Sequence, residues 1–176
     1  MGKKSNHYID NKEFFVAMCE WKDTVKESEN LGEPRPPISN YIGGCFIKIA
    51  EHLAQKPNFM NYLYKDEMIN DSIENCLMYA HNFDPEKSKN PFSYFTQIIY
   101  YAFLRRIEKE KKQNYIKFKL AEMKDDGTMS SWYKENYFEK DNVKLAMREH
   151  FNLSEEDIKR MAPKGKKKKG STGPFE

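Results

Sequence analysis

Along residues 90–113, NPFSYFTQIIYYAFLRRIEKEKKQ, aromatic side chains give way to cationic ones. At 100° per residue, Phe95, Ile98, Ala102, Arg105, Lys109 and Lys112 fall on one helical stripe that begins apolar and ends basic. Aromatic rings stack on unpaired bases or wedge between them. Lysine and arginine track a phosphate backbone. The combination suits a strand being separated from its complement; a binder of duplex alone has no need of the aromatics. The adjoining stripe, Phe92, Thr96, Ile99, Phe103 and Ile107, has the spacing of an ordinary core face. A second layer of protein over the apolar end would satisfy the first stripe equally well.

A second constellation lies upstream, in KDEMINDSIENCLMYAHNF, residues 65–83. Ile69, Ile73, Cys76, Leu77 and Ala80 share a core-like face. Opposite them run Glu67, Asp71, Glu74 and Met78, flanked by Asn70 and Asn75. Such a stripe can face water, dock a basic partner or hold metal for phosphoryl chemistry. The metal reading is the weakest, because every carboxylate sits on one helix and nothing supplies a second ligand set. His7, His52, His81 and His150 are scattered, without cysteines at zinc spacing. There is no P-loop, GxGxxG or GxSxG. The residues point to binding rather than catalysis, with no cofactor and no metal.

These stripes need a helical frame, and the chain predicts one. Nothing alternates with period two for long enough to make a strand. Helices are expected over about 11–26, 40–55, 65–81 and from Pro91 to 119 or beyond. EPRPP at 33–37 and Lys56-Pro57-Asn58 separate the first three. Asn90 caps the fourth and Pro91 fills its first position. Gly43-Gly44 reads as a close helix–helix contact. Residues 125–131 look like a polar insert. Weaker helical patterns follow at 136–150 and 155–162, the latter behind a capping-box-like Ser154…Asp157 pair. The expected fold class is all-α: a flexible N-terminus at 1–10, a compact helical domain at 11–120, a helical extension at 121–162 and a disordered lysine-rich tail at 163–176.

Totals bound the class more loosely. The chain has 176 residues, 32% of them charged and 14% aromatic, with a mean hydropathy of -0.91. That aromatic content argues against wholesale disorder. Net charge is only +3, but it is sorted into patches. Residues 163–176 carry five lysines against one glutamate, and residues 105–119 carry seven basic against two acidic side chains. Three widely spaced cysteines and no signal-like or spanning apolar run predict a soluble intracellular protein with reduced thiols.

The order of these features resembles conserved region two of bacterial sigma factors. An acidic-polar helix closes on an aromatic-acid pair, a short polar loop follows, and F-S-x-aromatic opens an aromatic-to-basic helix. Here the stretch reads DEMINDSIENCLMYAHNFDPEKSKNPFSYFTQIIYYAFLRRIEKE. With NKEFFVAMCEWK and IKIAEHLAQKPNFMNY, residues 8–120 are similar to the late-transcription sigma factors of T-even-type tailed phages. The resemblance implies a sigma-region-two-like fold and two partners. One is host RNA polymerase core, whose β′ coiled coil would receive Glu67, Asn70, Asp71, Glu74 and the neighbouring Met78. The other is the non-template strand of a TATA-like −10 promoter element. By position Phe95 matches the aromatic that stacks on a flipped adenine, and Ile98 and Ile99 replace a wedging Trp pair. Ala102 and Arg105 stand where primary sigma factors read the upstream edge, and Arg106 matches a basic position. The family setting adds a phage co-activator and a sliding clamp as partners, no membrane, and the cytoplasm of an infected bacterium. The ending GKKKKGSTGPFE lacks the family's acidic-hydrophobic clamp motif. The rival expectation is a polymerase-binding co-activator or anti-sigma with no promoter-base contacts. A more distant one is a non-specific single-strand binder.

Overall fold

A computed structural model of the chain describes residues 8–123 and 148–162, and side chains for 8–120 and 148–162. The regular elements among the described residues are all helices, without strands. Helix α1 spans Asn11–Leu31, α2 Asn40–Ala54, α3 Lys65–Tyr79, α4 Pro91–Met123 and α5 Glu155–Met161, with a 3-10 turn at Ala80–Asn82. The chain divides into two compact units, Met1–Glu108 and Lys109–Glu176, so the boundary falls within α4 rather than after residue 120. The polar insert at 125–131, most of the expected 136–150 helix and the lysine-rich tail lie outside the described residues.

Local chemistry sets the helix ends. Asp10 Oδ1 accepts from the backbone N–H of Lys12 and Glu13, capping α1. That helix runs past the expected Lys26 and stops at Gly32, whose φ of 70° is left-handed. Ser39 Oγ caps α2 through Ile42 N–H, and Asn90 Oδ1 caps α4 through Ser93 N–H. Trp21 Nε1 donates to the Pro36 carbonyl at 3.2 Å, which fastens the proline-rich connection to α1. Lys22 Nζ donates to the His81 carbonyl at 2.7 Å and ties α1 to the 3-10 turn.

The core of the first unit is aromatic. Phe14, Phe46, Phe83, Phe95 and Phe103 are fully buried, joined by Met18, Ile42, Ile49 and Ile99. The Phe95 ring centroid lies 4.4 Å from Phe46, 5.7 Å from Phe14 and 6.1 Å from Phe83, so one side chain of α4 meets α1, α2 and the turn after α3. The flexible N-terminus does not extend through residue 10. Ile9 is buried, and Tyr8 stacks on His52 at 3.8 Å between centroids.

Gly43 and Gly44 do not mark a close approach. A Cβ at Gly43 would meet only Ile38 Cδ1, at 3.8 Å, and one at Gly44 would meet nothing within 4 Å. Glycine inside a helix is about 0.8–1 kcal/mol less favourable than alanine. Gly44→Ala is therefore expected to raise stability by about that amount, read as a higher urea midpoint with an unchanged m-value.

In the second unit, Tyr115 and Phe118 of α4 pack with Leu153, Phe151, Ile158 and Met161. The expected capping box is formed: Asp157 N–H donates to Ser154 Oγ, and Ser154 N–H to Asp157 Oδ2. Lys111 Nζ reaches both oxygens of the buried Asp157 carboxylate, at 3.0 and 2.9 Å. Burial pushes the Asp157 pKa up, but the bonds from Lys111 and Ser154 outweigh it and hold the carboxyl below its usual range. A lowered folded-state pKa contributes stability above the unfolded value and loses it as pH falls through the folded one. Acidification from about pH 4 downward should loosen this unit. Asp157→Asn should remove that part of the acid dependence, measured by thermal melting across pH.

Candidate nucleic-acid interface

Helix α4 enters the core along a wider arc than one stripe. Phe92, Ile99, Phe103 and Ile107 lie in or against the core, as expected. So, however, does the apolar end of the stripe assigned to DNA. Phe95 and Ile99 are 0% exposed, Ala102 is buried, and Ile98 is half-buried against the same cluster. As packed in this chain, Phe95 is not open to a flipped base, nor are Ile99 and Ala102 open to a strand. The cause is the number of neighbours: α1, α2 and Phe83 surround this part of α4, so two adjacent stripes are consumed in packing.

The outward face is the next one round. Ser93, Gln97, Tyr100, Tyr101 and Leu104 are exposed, at the spacing of successive turns. Tyr100 and Tyr101 are 40% and 51% exposed, with ring centroids 5.8 Å apart at 72°. They border a groove of about 800 Å³. Lys56 and Asn58, from the connection after α2, face into it alongside Ser93, Gln97, Tyr100 and Tyr101. Leu53 and Phe59, both buried, form its apolar base, and Tyr100 meets Phe59 edge-on at 5.8 Å. No carboxylate is among the described lining residues. Rings for stacking, amides for base edges and one lysine for phosphate make the groove chemically suited to an unpaired nucleotide.

The sequence held a signal for this face. Within 91–104 the phenylalanines at 92, 95 and 103 go inward, while Tyr100 and Tyr101 keep hydroxyls to present to water. Gln97 and Ser93 extend the same line toward the start of α4.

The basic positions divide. Arg105, Lys109 and Lys112 are exposed. Arg105 Nη2 donates to Asn75 Oδ1 at 2.7 Å. Arg106 is turned inward, with its Nη1 3.2 Å from Asp71 Oδ2 and its side chain only 17% exposed. Its charge is spent within the unit. Lys111, tied to Asp157, is likewise occupied.

On α3, Glu67, Asn70, Glu74 and Met78 face solvent, in line with a docking stripe. Asp71 is half-buried and paired with Arg106, so it offers a partner less than a free carboxylate. Leu77 is not a core residue: it is 49% exposed beside Met78 at 50%. Cys76 and Ala80 are buried as expected, and Met68 and Ser72 join them at the deepest positions. Ser72 sits there because its hydroxyl donates to the Ile69 carbonyl at 2.7 Å, satisfying the buried oxygen within the helix. The Cys76 thiol is pushed up to about 12 by burial. The outward face of α3 thus runs from acidic to apolar.

Among the described residues no group of three or more His, Cys, Asp or Glu side chains could hold a metal ion, and no helix is long and apolar enough to cross a membrane. A scan against protein-family models and a search of curated proteins find no match to this chain.

Proposed function

We propose that this chain is a sigma-type specificity subunit of the late phage class, which binds host RNA polymerase core and directs it to TATA-like −10 elements. The observation that carries the reading is the pairing of two unlike outward faces on one helical body. On α3, exposed Glu67, Asn70 and Glu74 lead along the helix to exposed Leu77 and Met78. On α4, Gln97, Tyr100 and Tyr101 border a groove free of carboxylates among its described lining residues. The first suits a basic helical partner, the part that the resemblance gives to the β′ coiled coil. The second suits the non-template strand. Its bases would enter at Tyr100 and Tyr101, while Arg105 takes a phosphate. Base capture moves from Phe95, Ile98, Ile99 and Ala102 to this neighbouring face. The work of the chain is positioning and strand separation, in the cytoplasm of an infected bacterium, with the bond-making chemistry left to the polymerase. A phage co-activator belongs to the same proposal.

The second reading, a polymerase-binding regulator without promoter-base contacts, draws support from the burial of Phe95 and Ile99. The exposed tyrosines weigh against it. Run-off transcription with purified core polymerase separates the two, using one duplex and one premelted promoter. Protein-dependent initiation on both is expected. Tight core binding without initiation would favour the regulator, and no core binding would overturn both.

A further inference from the structure

Arg105 and Arg106 are neighbours in sequence but are held by different chemistry. Arg106 meets a carboxylate, Asp71, at 3.2 Å, and that pair is neutral as a whole. Arg105 meets a neutral amide, Asn75 Oδ1, at 2.7 Å. The Asn75 amide is itself fixed, because its Nδ2 donates to the Asp71 carbonyl one turn back at 2.5 Å. A guanidinium has only donors, so the amide oxygen is the atom that meets it, and the Nδ2 bond fixes which way that oxygen points. An amide oxygen can orient a guanidinium without cancelling its charge; a carboxylate orients and cancels it.

From this we infer that Asn75 is a positioning residue for Arg105: it aims the guanidinium at a strand phosphate while leaving the full positive charge available. The inference rests on the strand-binding reading above. It gives α3 a part in nucleic-acid contact that its acidic face does not suggest. It also separates the two arginines into a strut, Arg106, and a reaching group, Arg105.

The test is the salt dependence of binding by the full chain to a fluorescent single-stranded oligonucleotide. Each phosphate contact on a single strand contributes about 0.7 to the slope of log K against log salt. Arg105→Ala should lower the slope by about 0.7. Asn75→Asp, nearly isosteric and a stronger partner for arginine, should lower it by a similar amount by neutralising Arg105. Asn75→Ala should leave the slope unchanged and cost only about twofold in affinity, since the charge survives and only its aim is lost. A purely structural role for Asn75 predicts the reverse ranking, with Asp the milder change. In an Arg105→Ala background, Asn75→Asp should change the slope no further. A further drop there would mean that the added carboxylate acts on the strand directly, and would overturn the inference. So would an unaltered slope for Asn75→Asp when Arg105→Ala lowers it. Failure of the unsubstituted chain to bind any strand would instead overturn the strand-binding reading beneath it. Thermal melting of each variant identifies any loss of fold.

Discussion

Phe95→Ala should unfold much of the first unit rather than disarm a folded one. The ring is fully buried and touches aromatic side chains from α1, α2 and the turn after α3. Truncating a buried phenylalanine costs about 3–5 kcal/mol, through lost transfer energy and the cavity left behind. Domains are stable by about 5–15 kcal/mol in total, so a large share would go in one step. Urea denaturation should show the midpoint falling steeply, and binding to polymerase and to DNA should decline together. Phe95→Leu, which refills most of the volume, should recover the larger part of both. A folded Phe95→Ala protein with normal stability and a selective loss of promoter opening would return the ring to the base-stacking role.

The converse is expected at Tyr100 and Tyr101. Both rings are substantially exposed beside the groove, and the one core contact described for them is the edge of Tyr100 on Phe59, so their removal leaves most of the core packing in place. Stacking contributes about 1–3 kcal/mol per base. Each alanine substitution should weaken single-strand binding about tenfold, and the double substitution should abolish opening of a duplex promoter while sparing a premelted one. Thermal melting should stay within a few degrees of the unsubstituted chain, because surface truncations change stability by about 0.5 kcal/mol or less. Retained opening by the double variant would rule out this face as the site of strand capture. Fluorescence anisotropy with a labelled strand gives the affinity directly.

Much of the helical frame was legible because its punctuation is local. Asn90 and Ser154 announce helix starts with side chains that reach the next turn, and Pro91 and the EPRPP segment leave little freedom, whereas the Asp10 cap lies in a stretch that read as flexible. Phe14 and Met18 on α1, and Ile42 and Phe46 on α2, stand four residues apart, the helical spacing of an inward face, and all four are buried. What periodicity cannot supply is the width of the buried arc. A helical wheel says that Phe95 and Ile99 lie on neighbouring stripes; how many elements press on them depends on contacts distant in sequence. Phe95 was lost to the core for this reason. Leu77 was gained for the surface because the deepest line on α3 passes through Ser72, a residue that hydropathy alone would turn outward. The pairings of Arg105 with Asn75 and of Arg106 with Asp71 span 30 and 35 residues, beyond the reach of any local pattern.

The buried thiol of α3 has a use as a clock. Cys76 is fully enclosed and its thiol is held far above neutral pH. An alkylating reagent in solution reaches it only when the packing around α3 parts, so the modification rate at saturating reagent measures how often that happens. A bound partner lying along the outer face of α3 would slow the same rate without touching the sulfur. One native cysteine thereby reports, in units of time, both the breathing of the helix and its capture.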